Sequence, residues 1–313
     1  MSWLHIFPLL VASAATVAVN EAPLPASNPE NAELIKLEQE RYERVTVPVT
    51  IKGQGPFRFM VDTGAQATVV SSALADRLGL TERSPATVVG MASRAAVQIT
   101  EIPQLGLGSR EFYIRSAPIL QAQNLGGADG ILGLDSLQDQ RVLIDFEKQR
   151  IFVADAKQLG GDRGYEIVVK ARRKLGQLII TGARLNGIDV DVIVDTGSQS
   201  SVGNMALYER MSRTRGIGDS TLTDVNGHDL TSAVKMVQKL EINRMTVSSI
   251  PIMFADAPPF QALGMTNEPA LILGVDQLKL FRRVAIDFPR QRILFDLPRE
   301  ANNRDPIAHT LSL

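Results

Sequence analysis

Cysteine is missing altogether from this 313-residue chain. Its absence excludes disulfides, thiolate zinc sites, cysteine nucleophiles and the lipidated cysteine of a lipoprotein. Histidine is almost as scarce: His5, His228 and His309 are the full set, and no metal or other cofactor is expected. Aromatic residues make up only 5%, which leaves no stacking platform for bases. Neither sign of charge dominates, with 33 Lys and Arg against 34 Asp and Glu, so no nucleic-acid partner is expected. What remains is an ordinary globular composition, 44% hydrophobic and 21% charged. The length suits roughly two domains.

Long apolar runs are rare as well. The one such run, Trp3 to Val19, contains no Asp, Glu, Lys or Arg, and small residues gather towards its end. Ala12-Ser13-Ala14 and Thr16-Val17-Ala18 both fit a small-residue cleavage pattern. Residues 1–19 therefore read as an export signal or, if uncleaved, as an N-terminal anchor at the lower edge of the ~17–25 residues that cross a bilayer. Both readings predict an exported protein, periplasmic or held on the inner membrane facing the periplasm. Residues 20–43, which include Glu21 to Glu30 (EAPLPASNPE), read as a linker.

The rest of the chain repeats itself. Phe59 to Gly64 (FMVDTG) is matched by Val192 to Gly197 (VIVDTG), and Gly130 to Asp135 (GILGLD) by Leu271 to Asp276 (LILGVD). Leu143 to Phe152 (LIDFEKQRIF) is then matched by Ala285 to Leu294 (AIDFPRQRIL). Taken at Asp62/Asp195, Gly133/Gly274 and Asp145/Asp287, the offsets are 133, 141 and 142 positions. Three blocks in one order mark a duplication, and the extra residues of the second copy fit a surface loop.

Around these blocks the pattern is mostly β. Val45, Val47, Val49 and Ile51 alternate with other residues, as in a strand with one buried face; Pro48 within the run predicts an edge position. Gly53 to Pro56 is expected to turn the chain into the strand that ends at Asp62. In the second copy Asn186-Gly187, between two strand-like runs, is a hairpin signal. Short helices are expected over Ser72 to Leu78 and Asn204 to Met211, each entered through a Ser or Asn cap. These elements give a first lobe at 44–157, a hinge at 158–164, a second lobe at 165–298 and a polar tail at 299–313.

Each Asp-Thr-Gly turn ends an apolar strand with a carboxylate. Such a group is costly to bury unless hydrogen bonds or a partner compensate it, and glycine two residues on lets the chain turn sharply with its amide close to the carboxylate. One such turn is weak evidence of chemistry. Two, each followed by an apolar-apolar-Gly segment, are far more specific.

Val61-Asp62-Thr63-Gly64-Ala65 and Val194-Asp195-Thr196-Gly197-Ser198, together with Ile131-Leu132-Gly133 and Ile272-Leu273-Gly274, resemble the retropepsin-like aspartic proteases. The nearest likeness is to exported bacterial members with two tandem domains, and it spans residues 44 to 298. The resemblance implies two acid-protease barrel lobes with a cleft between them. It implies that Asp62 and Asp195 are the catalytic pair and that Thr63 and Thr196 hydrogen-bond across to the opposite lobe. Gly64 and Gly197 complete the two turns, and Gly133 and Gly274 would pack behind them. A single chain would then form an intramolecular pseudo-dimer and act as a monomer on a peptide or protein substrate.

Two carboxylates held close share one proton, so that one can activate a water while the other polarises the scissile carbonyl. Ser198 beside Asp195, where the first copy has Ala65, predicts that Asp195 is the ionised partner. Flap tips are expected at Val88 to Ala92, with Gly90 and Met91, and at Asp224 to His228, with Gly227. Asp135 and Asp276 are expected to cap short helices, and Asp145 and Asp287 to precede reverse turns. Beside the endopeptidase reading stands a non-catalytic peptide-binding module that uses the same cleft. Intact aspartates in both copies favour the enzyme.

Overall fold

The computed structural model describes residues 46–211, 214–298 and 311–312. The signal or anchor at 1–19, the linker at 20–43 and most of the tail at 299–313 lie outside these residues. Among the described residues no helix is long and apolar enough to cross a membrane.

The protein is mostly β. In the first half, β1 (Thr46–Ile51) and β2 (Gln54–Val61) form a hairpin. Its turn is Lys52-Gly53, both in the left-handed region at φ 51° and 70°, so the turn comes earlier than the expected Gly53 to Pro56 and Gly55-Pro56 belongs to β2. β3 (Val69–Ser71) leads into helix α1 (Ser72–Arg77), whose first turn is capped by the Ser71 hydroxyl accepting from the Leu74 amide. Strands β4 (Arg83–Val89), β5 (Arg94–Leu107), β6 (Arg110–Leu120) and β7 (Gly130–Leu132) follow, and then helix α2 (Leu134–Leu137).

The order β1-β2-β7-β3-β6-β5 closes on itself because β1 also pairs with β5 at Thr50 and Ile51, and β4 extends beyond β5. The ring is a barrel, closed where Thr50 and Ile51 meet Gly106 and Leu105. Phe57, Phe59 and Val61 alternate into its core with Ile102 and Leu105. Among the described residues Pro48 has a strand on one side only, β2, as the edge expectation requires. It is tolerated because β1 meets β5 only at its far end, beyond Pro48.

The second half repeats the plan. Strands β10 (Ile167–Lys170) and β11 (Arg172–Lys174) precede β12 (Gln177–Leu185) and β13 (Ile188–Val194), which turn through Asn186-Gly187 at φ 49° and 83° as expected of a two-residue hairpin. β14 (Val202–Gly203) enters helix α3 (Met205–Arg210), with Asn204 as its cap, as expected. β15 (Gly216–Thr223), β16 (Asp229–Ile242), β17 (Met245–Phe254), helix α4 (Pro258–Ala262) and β18 (Ala270–Leu273) complete the half. The ring β12-β13-β18-β14-β17-β16 closes through β12 on β16, and β15 extends it as β4 extends the first.

A separate five-stranded sheet joins the halves in the order β10-β20-β19-β8-β9, with β8 (Arg141–Asp145), β9 (Arg150–Ala154), β19 (Arg283–Asp287) and β20 (Arg292–Asp296). At its centre β8 and β19 run antiparallel, with Leu143 opposite Ala285 and Arg141 opposite Asp287. Arg141 is fully buried and donates to Asp287 at 2.5 Å, to Asp162 at 2.9 Å and to the Gly161 carbonyl. A buried ion pair contributes little net stability, but breaking it would strand a buried charge, so it fixes the register of one half against the other. Asp145 and Asp287 also accept the Lys148 and Arg290 amides of their own turns, at 2.9 and 3.3 Å.

Candidate active site

Each aspartate stands where a strand stops. Val61 at the end of β2 lies beside Leu132 of β7 in parallel pairing, and the Asp62 amide donates to the Leu132 carbonyl at 3.0 Å. Asp195 repeats this after β13, its amide donating to the Leu273 carbonyl at 3.1 Å. The chain then folds back so that amides point at its own carboxylate. Asp62 Oδ1 accepts from Gly64 and Ala65 at 2.8 and 2.9 Å, and Asp195 Oδ1 from Gly197 and Ser198 at 2.8 and 3.3 Å.

The two turns are tied together through Thr63 and Thr196. The Thr63 hydroxyl donates to the Val194 carbonyl at 2.9 Å and accepts the Thr196 amide at 3.2 Å. In return the Thr196 hydroxyl donates to the Val61 carbonyl at 2.7 Å and accepts the Thr63 amide at 3.1 Å. Four reciprocal bonds across a largely buried seam hold the turns in one relative position.

The glycines are needed for space. Neither Gly64 nor Gly197 is in the left-handed region. A Cβ on Gly64 would sit 2.4 Å from Asp195 Oδ2, and one on Gly197 would sit 2.2 Å from the Asp62 carboxyl carbon. Each glycine therefore lets the opposite half's carboxylate approach. Gly133 and Gly274 are as tightly backed: a Cβ there would meet Ala67 at 2.4 Å and Ser200 at 2.6 Å, in the loops that follow the aspartates. Asp135 accepts from the Thr68 amide at 2.9 Å, and Asp276 accepts from Gln199 and Ser200. Both carboxylates thus bind the aspartate loop to the following short helix rather than capping it.

The two carboxyl groups hydrogen-bond to each other, and they are not equivalent. Burial above all, then the adjacent Asp62 charge and the bond to Asp62, push Asp195 up to about 8 against the pull of the Gly197 and Ser198 amides. Asp195 is buried while Asp62 is half-buried. The pair thus retains one shared proton, and the expected support of an ionised Asp195 by the Ser198 hydroxyl is missing. The Ser198 hydroxyl spends its one proton on the Ser200 carbonyl, at 2.8 Å.

One neighbour had no sequence signal. Gln177, buried at the start of β12, donates its side-chain amide to the Gly64 carbonyl at 2.7 Å. It braces the first half's turn from the second half. Gly90 and Met91 lie at the bend between β4 and β5, and Gly227 at the bend between β15 and β16. Gly227 is left-handed at φ 81°, whereas Gly90 is needed for close approach to Asp224.

Residues 47–139 match the family model described as gag-polyprotein putative aspartyl protease, and residues 181–277 match the one described as aspartyl protease. The two matches contain Asp62 and Asp195 respectively. No curated protein matches the chain.

Proposed function

Because this chain belongs to the retropepsin-like aspartyl proteases, with two such domains in tandem, we propose that it is an aspartic endopeptidase whose one active centre uses Asp62 from the first domain and Asp195 from the second. The observation that carries the reading is that each turn's glycine lies against the other half's carboxyl group, which brings Asp62 and Asp195 together at one centre. A water bound between the carboxyls loses a proton to ionised Asp62 while its oxygen attacks the scissile carbonyl carbon. Asp195 donates its hydrogen bond to the carbonyl oxygen and stabilises the charge that develops there. The tetrahedral oxyanion, still held by Asp195, collapses as the amide nitrogen takes the proton from Asp62, and the C–N bond breaks with no covalent enzyme intermediate.

The peptide lies in a cleft between the two domains, and the chain acts as a monomer that is its own pseudo-dimer. Exposure to exported or membrane-proximal substrates follows from the apolar run at Trp3 to Val19.

Incubation with a mixed peptide library over pH 4–8 tests the proposal. Cleavage is expected from the wild type and is lost in both Asp62→Asn and Asp195→Asn. Persistent cleavage in either variant refutes the assignment of the pair. Peptide binding without any turnover would instead make the cleft a recognition module.

A further inference from the structure

The two hairpin tips meet, and one carboxylate joins them. Asp224, buried at the start of the β15–β16 bend, uses its two oxygens for different partners. Oδ1 accepts the amides of Asn226 at 2.9 Å and His228 at 3.0 Å, which closes its own turn. Oδ2 accepts the Ala92 amide at 3.1 Å and the Ser93 hydroxyl at 2.7 Å, both from the bend between β4 and β5. The Asn226 side chain adds a bond to the Ser93 hydroxyl at 3.0 Å. The approach is close enough that a Cβ on Gly90 would lie 2.3 Å from Asp224 Oδ2. Although burial opposes it, hydrogen bonds from His228, Ser93, Ala92 and Asn226 hold the carboxyl below the usual carboxylate range.

The tips also exchange side chains. Met91 packs on the second half's cluster, which contains Ile193 and Ile272. Val225 packs on the first half's cluster, which contains Met60 and Ile131. Met60 and Ile193 each stand two residues before an aspartate and lie outside the one cluster that takes both Val61 and Val194. The apolar surface flanking the carboxyl pair is thus occupied crosswise by the tips.

We propose that Asp224 is the latch that holds the two flap tips shut over the carboxyl pair, and that its bonds to Ala92 and Ser93 must break before a peptide reaches it. The passage of a peptide rests on the protease reading; the latch does not. It is a one-sided device. The second hairpin supplies the charge and the first supplies the donors, an asymmetry open to a duplicated chain and closed to a pair of identical chains. Asp224 positions the flaps and touches no reacting atom.

Asp224→Asn separates its two duties. The amide oxygen can keep the Asn226 and His228 amides, but its nitrogen now faces the Ala92 amide, donor against donor. Amide hydrogen exchange is expected to quicken at Ala92 by roughly tenfold or more, as for loss of a bond to a charged acceptor, while Asn226 and His228 stay protected. Ser93→Ala should give a smaller acceleration at Ala92 and none at Asn226. Because the chain has no cysteine, Thr87→Cys with Ser220→Cys gives two unique label sites on the exposed outer strands of the flaps. Their distance distribution should broaden and lengthen when Asp224→Asn is added.

Unchanged exchange at Ala92, or an unchanged label distance, overturns the latch. Equal loss of protection at Ala92, Asn226 and His228 overturns it too, since Asp224 would then merely hold its own turn. A wild type that cleaves no peptide would defeat the protease reading and leave the exchange result decisive for the latch.

Discussion

Replacing Thr196 with valine keeps the shape of the side chain and removes its hydroxyl. Two groups lose their partner at once: the Val61 carbonyl, which accepts from Thr196 at 2.7 Å, and the Thr63 amide, which donates to it at 3.1 Å. Val61 and Thr63 are both buried, at 4% and 2% exposure, so water cannot readily replace what is lost. A buried polar group left unpaired costs about 1–3 kcal/mol, which puts Thr196→Val at about 2–6 kcal/mol. That is a large part of the ~5–15 kcal/mol that holds a typical protein folded. Urea unfolding followed by circular dichroism measures the loss as a lower midpoint with an unchanged slope. Thr196→Ser retains the hydroxyl and should stay near wild type. In Thr63→Val/Thr196→Val the losses should not add, because the two hydroxyls serve one reciprocal set of bonds. The reasoning is refuted if Thr196→Val loses less than about 0.5 kcal/mol. It is also refuted if serine loses as much as valine, since the methyl group would then be what matters.

Two further outcomes follow from the carboxyl pair. Asp195 keeps its proton in the native protein up to about 8 but titrates near 4 in an unfolded chain, so between those values the native state binds more protons and stability falls as pH rises. Denaturation across this range should show the fall, Asp195→Asn should flatten it, and wild-type peptidase activity should drop as pH rises through about 8. In Gly197→Ala the added methyl would sit 2.2 Å from the Asp62 carboxyl carbon, so the pair must be pushed apart. Activity should be lost in a protein that still folds with native-like circular dichroism, and retained activity would contradict the close approach of the two carboxyls.

Much of the site was legible because it is written locally and twice. The Asp-Thr-Gly turns, the apolar-Gly segments and the Asn186-Gly187 hairpin depend on near neighbours in sequence, and the structure carries them on matching strands of two closed rings. Where the reading failed, the decisive contact lay elsewhere. Ser198 stands beside Asp195 in the chain, yet its hydroxyl turns to Ser200. Gly64 and Gly197 bring their amides to their own aspartates as expected, but nothing local showed that the carboxylate of the opposite half also demands them. Pro48 correctly marked a stretch with one strand neighbour, but gave no sign that β1 closes on β5 two residues later. Gln177 gave no sign at all, because the Gly64 carbonyl it serves is 113 positions away. Nor could sequence alone show that one oxygen of Asp224 serves its own bend and the other serves the opposite hairpin.

The pairing of β8 with β19 has a consequence for how the chain comes into being. Arg141 and Asp287, bonded across that pair, are separated by 146 positions, a loop that must close before the contact can contribute. Contacts of such long range slow folding, and during synthesis this one has no partner until nearly the whole chain has emerged. β20 comes later still, at residues 292–296. The first barrel can condense early, carrying a lone aspartate. Asp195 lies in the second ring, which closes only when β12 meets β16, so a chain that stops before that ring is complete holds Asp62 without its partner in place.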